Sequence, residues 1–150
     1  MVYLTRRERF NSAHKLYNPN WDDAQNEEVF GKCANENWHG HNYHLYVTVK
    51  GKPNPDTGFI INVKTLSSII QKRVIEKVDH RNLNLDVDFL QGVIPSTENF
   101  AQAIWQELAA DIEANGCTLH CVKPVSYTHL RAHETSLHLV CRLLLEKTNP

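Results

Sequence analysis

His39-Gly40-His41 sets two imidazoles two residues apart. On an extended backbone such residues point to the same side, where one metal ion can bridge them. Their parity continues into Leu45, Val47 and Val49, so the pair stands at one end of an apolar strand face. Upstream, Phe10, His14 and Leu16 share one parity, and pairing of the two strands brings His14 alongside. Three neutral imidazoles around an open position suit a catalytic Zn2+. Taken one at a time, the same residues are ordinary loop and core histidines. Five residues separate Cys33 from His39. Its thiol is either a fourth ligand that closes a structural site or a free thiolate beside the metal, and spacing leaves both open.

Two further clusters carry chemistry. Asp79-His80 follows a helix directly, and a carboxylate beside an imidazole orients it or shares a proton with it. A histidine at a helix C-terminus is also favourable on dipole grounds alone. Ser96-Thr97-Glu98 has the chemistry of a helix N-cap followed by an acid in the first turn.

The elements that must hold these residues are read from periodicity. Leu4–Leu16 reads as a strand, and residues 18–28, polar with a Pro and several Asp and Asn, as loop. His44 to Lys50 alternates as a half-buried antiparallel strand, and Pro53 to Gly58 is turn chemistry. Val63, Leu66, Ile70 and Val74 predict a helix over 62–77. Residues 79–93 read as loop. Phe100, Ile104, Leu108 and Ile112 predict a second helix from Ser96 or Thr97 to Asn115, stopped by Gly116. Cys117 to Val122 opens a third strand. Strands, two helices, then strands is an α+β order.

Composition sets the class. The chain has 150 residues, 41% apolar and 22% charged, as expected of one folded domain. Sixteen basic residues balance seventeen acidic ones, which argues against nucleic acid as a partner. No apolar run is long enough to span a membrane. The opening MVYLTRRERF carries charges where a secretory signal needs an apolar stretch, so a cytoplasmic protein with reduced thiols is expected.

Read together, Phe10-Asn11-Ser12-Ala13-His14-Lys15-Leu16, Phe30-Gly31-Lys32-Cys33, His39-Gly40-His41-Asn42-Tyr43, Val78-Asp79-His80-Arg81-Asn82-Leu83-Asn84 and Pro95-Ser96-Thr97-Glu98-Asn99 resemble the 6-pyruvoyl-tetrahydropterin synthase family, across about residues 2–123. The resemblance implies the tunnelling fold, an antiparallel four-stranded sheet with two helices between its second and third strands, assembled as a trimer or dimer of trimers. It implies His14, His39 and His41 as Zn2+ ligands and Cys33 as the base, with Asp79 and His80 as proton relay. Ser96, Thr97 and Glu98 match the segment that holds the pterin ring. The implied reaction converts 7,8-dihydroneopterin triphosphate to 6-pyruvoyl-tetrahydropterin with loss of triphosphate, for which Arg9, Lys15 and Lys32 are available cations. Similar enzymes make 6-carboxy-tetrahydropterin on the way to queuosine. The five-residue spacer resembles the pyruvoyl-forming members, many carboxy-forming ones having a shorter one. A zinc-stabilised module without turnover is the reading from another class.

The C-terminal segment departs from the family pattern. Members continue from a strand like Thr118–Lys123 into a Glu-Thr pair, whose Glu anchors the pterin. Here Pro124 follows, Ser126 stands where that Glu is expected, and Glu134-Thr135 comes about eight residues late. Val125 to Thr135 and Leu139 to Lys147 resemble the translation of a transposon-type sequencing adapter. The expectation is therefore a synthase domain over 1–124 and a non-native tail over 125–150, with the last family strand missing or replaced.

Overall fold

The computed structural model describes residues 1–127. Two long strands carry the structure. β1 (Val2–His14) and β2 (His39–Gly51) pair antiparallel along their whole length, from Val2 against Gly51 to His14 against His39. β4 (Thr118–Tyr127) pairs antiparallel with the other edge of β2, with a register shift between Thr48 and Val49. A two-residue strand, β3 (Arg81–Asn82), bonds to β1 at Ser12 and Ala13 and gives the order β3-β1-β2-β4.

The class is α+β as expected, with a correction to the sheet. β3 runs parallel to β1, so the sheet is mixed rather than wholly antiparallel. The two long helices lie between β2 and β4, and the β3 bridge lies between those helices.

The helices cover one face. α2 (Val63–Ile70) starts at Asn62, whose side chain accepts from the Lys64 N–H. It continues through a π-helical turn, Gln71–Ile75, into α3 (Glu76–Val78). α4 (Thr97–Ala114) starts at Ser96, and Phe100, Ile104, Leu108 and Ile112 are buried as the spacing predicts. Leu66, Ile70 and Val74 are buried too, but Val63 is exposed. It sits one residue inside the helix, where the stripe has not yet reached the sheet. Against these faces pack Leu45, Val47 and Val49 of β2, all fully buried, each contributing roughly 1.5–3 kcal/mol relative to an exposed side chain.

Two segments expected as loop contain helix. α1 (Asp23–Phe30) begins at Asp22, whose carboxylate accepts from the Gln25 N–H, and ends at Gly31 with φ 54°. It buries only Asn26, so no apolar stripe announces it. Within 79–93, besides β3, Asp88–Leu90 forms a 3-10 turn.

β1 carries polar groups on its helix-facing side. Glu8 accepts from Arg6 Nε at 2.8 Å, Ser67 Oγ at 2.7 Å and Gln71 Nε2 at 3.1 Å. This carboxylate fastens the strand to the start of the helical layer.

β4 continues past the expected strand end. Val125 pairs with His44 and is buried, and Ser126 pairs with Tyr43, so three residues of the segment expected as a tail belong to the sheet. Residues 128–150, with Glu134 and the rest of that segment, lie outside the described residues. Among the described residues no helix is long and apolar enough to cross a membrane.

Candidate functional site

The β1–β2 register assembles the histidines. His14 faces His39 directly, and His41 faces Ser12 one step along the same face. The rings stand 4.6 Å (His14–His39), 4.7 Å (His39–His41) and 5.0 Å (His14–His41) apart, all edge-on. One ring nitrogen from each lies within 4.8 Å of the others.

The floor beneath them is aromatic. His41 packs on Tyr43, Tyr43 stacks on Phe10 at 4.8 Å, and Phe100 of α4 meets both edge-on. Burial of these rings fixes the ends of both strands, so the imidazoles are held by the core itself.

The polar atoms fit a metal. His14 Nδ1 lies 2.9 Å from the Pro95 carbonyl, which can only accept; Nδ1 therefore carries the proton and Nε2 keeps its lone pair. His39 Nδ1 and Nε2 and His41 Nδ1 are buried without a hydrogen-bond partner. Orphaned buried nitrogens cost free energy unless something binds them. Burial pushes the His14 and His41 imidazoles down to about 4, and lowers His39 as well. All three are neutral near pH 7, the state in which imidazole ligates a cation.

Cys33 is half-buried in a 3-10 turn, Gly31–Ala34. Its carbonyl accepts from the Leu16 N–H at 2.8 Å, which ties this turn to the chain two residues beyond His14. The thiol is not a member of the close nitrogen cluster, which among the described residues consists of the three histidines.

Asp79 and His80 are joined at the edge of β1. Asp79 Oδ1 accepts from the Asn11 N–H at 2.9 Å and lies 3.0 Å from His80 Nδ1. The His80 N–H donates to the Asn11 carbonyl, and Ser12 Oγ donates to the Val78 carbonyl. These bonds hold His80 at φ 57°, a left-handed conformation uncommon outside glycine. Burial raises the Asp79 carboxyl, but the bonds from Asn11 and His80 outweigh it and leave it below the usual carboxylate range. The Asp79 carboxylate thus stands beside the His80 ring, which is 76% exposed.

The pair borders two clefts that also contain Asn11 and Asn42. The side chains of both asparagines alternate away from the histidine face. Asp79 and His80 are not members of the close nitrogen cluster, but His80 and His41 line the larger of these clefts together.

Ser96 caps α4, accepting from the Asn99 N–H at 3.2 Å. Thr97 is half-buried and Glu98 exposed in the first turn. The residue before this cap supplies the carbonyl under His14, so the segment also positions that ring. Spacing gives no hint of that contact between positions 14 and 95. Trp38 was not singled out in the sequence either. Its φ of 66° turns the chain into β2, and its ring, with that of Tyr17, holds the Lys15 ammonium at 4.5 and 4.9 Å.

Comparison with known proteins agrees with this arrangement. The family model described as 6-pyruvoyl tetrahydropterin synthase matches residues 3–135. The 6-pyruvoyl tetrahydrobiopterin synthase of Drosophila melanogaster is 35% identical over 140 residues, 93% of this chain and 78% of the relative. The 6-carboxy-5,6,7,8-tetrahydropterin synthase of Bacillus subtilis is 31% identical over 120 residues, 74% of this chain and 78% of the relative. The solved structure of Caenorhabditis elegans 6-pyruvoyl tetrahydropterin synthase superposes with a TM-score of 0.76 at 34% identity, covering 82% of this chain and 86% of that one. The chain belongs to the 6-pyruvoyl tetrahydropterin synthase family.

Proposed function

We propose that this chain is a zinc-dependent lyase that converts 7,8-dihydroneopterin triphosphate to 6-pyruvoyl-tetrahydropterin and releases triphosphate. The carrying observation is the cluster of three neutral imidazoles, one buried and two half-buried, with unpartnered nitrogens on His39 and His41, in a member of this family. His14, His39 and His41 are the ligands. Bound zinc would polarise the hydroxyl-bearing side chain of the substrate, so that charge left by a departing C–H proton is stabilised.

The reaction needs no outside oxidant. The carbon next to the ring goes from alcohol to ketone while the dihydropterin ring gains two hydrogens. At the next two carbons, loss of triphosphate leaves an enol that becomes ketone and methyl. The chain therefore has to move protons. Cys33 takes the C–H proton as thiolate, and Asp79 orients His80 to return protons along the side chain. Ser96, Thr97 and Glu98 hold the pterin ring.

Asp79 and His80 act beside the histidine cluster, His80 and His41 lining one cleft, within a trimer or dimer of trimers. The 2–10 edge of β1 is unpaired among the described residues, and a second copy satisfies that edge. A cytoplasmic location is part of the same reading.

The B. subtilis relative favours one alternative, 6-carboxy-tetrahydropterin synthesis for queuosine. The mass of the product formed from 7,8-dihydroneopterin triphosphate separates the two. Cys33→Ala separates both from a non-catalytic zinc module. The expected result is retained stoichiometric zinc with turnover reduced by about 10²–10⁴-fold; lost zinc instead makes Cys33 a ligand. If no tetrahydropterin forms even from a chain with a family-like C-terminus, the synthase reading fails.

A further inference from the structure

The two clefts beside Asp79–His80 adjoin, sharing Asn11, Asn42 and His80, with volumes of about 500 and 320 Å³. Arg81 lines the larger and Arg9 the smaller. Neither guanidinium has an acidic partner among the described residues, in contrast to Arg6 and Arg73, which are both paired. Among the described residues the only carboxylate lining either cleft is Asp79, whose Oδ1 is already engaged by the Asn11 N–H and His80. The His44 imidazole in the smaller cleft is held below its usual range, first by burial and then by the positive field of Arg9 and Arg7.

We infer that Arg9 and Arg81 bind the triphosphate of the substrate, flanking the relay pair from two sides. This rests on the proposed reaction, whose chemistry supplies the link. The relay handles protons on carbons next to the one that bears the leaving group, so the phosphates pass within a few bonds of His80. A polyanion there needs fixed cations that no carboxylate has claimed, and guanidinium forks match phosphate oxygens in pairs. Lys15 is the poorer candidate. Its ammonium is held over Trp38 and Tyr17, and its own cavity contains Asp23, Glu27 and Glu36, which repel a polyanion.

The test uses the full zinc-loaded chain with Arg9→Gln and Arg81→Gln, singly and together. Both side chains are exposed, so the fold should survive the changes. Titration calorimetry with inorganic triphosphate is expected to show about tenfold weaker binding for each variant. KM for 7,8-dihydroneopterin triphosphate should rise about as much while kcat changes little. Binding of 7,8-dihydroneopterin, which lacks the phosphates, should stay within about twofold, since it makes none of the lost contacts. Unchanged triphosphate affinity in the double variant overturns the inference, as does an equal loss for 7,8-dihydroneopterin. Absent tetrahydropterin product with arginine-dependent triphosphate binding overturns the reaction and leaves the anion site standing.

Discussion

His39 holds two buried ring nitrogens with no protein partner, the clearest sign that the site is built for an occupant. A residue kept for stability alone would not be so placed, because each unmatched group costs about 1–3 kcal/mol. His39→Leu is therefore expected to leave the metal-free chain as stable or about 1 kcal/mol more stable. The parent chain is expected to melt higher with zinc, and the variant to lose that rise. Thermal melts with and without zinc, beside metal analysis, check both halves. The meeting of the three histidines was legible in the sequence because strand parity and an H-x-H pair suffice to aim them. The Pro95 carbonyl under His14 was not, since backbone contacts between distant segments leave no trace in residue type.

Glu8 is the corresponding device between elements. Burial alone would raise its carboxyl, but bonds from Arg6, Ser67 and Gln71 hold it below the ordinary range. A depressed folded value means that the carboxylate stabilises the fold above its unfolded value near 4.5. That contribution is lost as pH falls through the lower folded value. Glu8→Gln should thus cost about 1–2 kcal/mol at pH 7, with the gap to the parent closing below pH 4.5. Denaturant titrations across pH 3–7 read this, and a gap independent of pH would assign the cost to packing. The long helices and strands were readable because their apolar faces repeat. α1 was not, because its one buried side chain is Asn26, which binds backbone groups of Asn18, Trp21 and Asp22. The Asp22 cap and the Gly31 stop were its local signals. β3 escaped for a related reason, being two residues held by backbone bonds.

At the scale of the whole molecule the question is how the sheet ends. β4 uses one edge to pair with β2, and its register carries smoothly through Pro124, Val125 and Ser126. Backbone pairing is tolerant of sequence, so this continuity does not distinguish a native end from a replaced one. A test of the site chemistry is what separates them. Ser126 faces Tyr43 across the strands at the position where the family resemblance places a carboxylate, and a hydroxyl cannot supply the charge that anchors a pterin. We propose that residues 125–150 stand in for a family end. Replacing them with a family-like segment that restores Glu at 126 and a following strand should then raise melting temperature by several degrees, through the covered β4 edge. It should lower KM for the pterin substrate about tenfold or more, through the restored carboxylate. Two outcomes separate the effects. A gain in stability without a gain in KM locates the anchor elsewhere, at Glu134 first. Equal stability and activity in the two chains would show that the segment as it stands already completes both sheet and site.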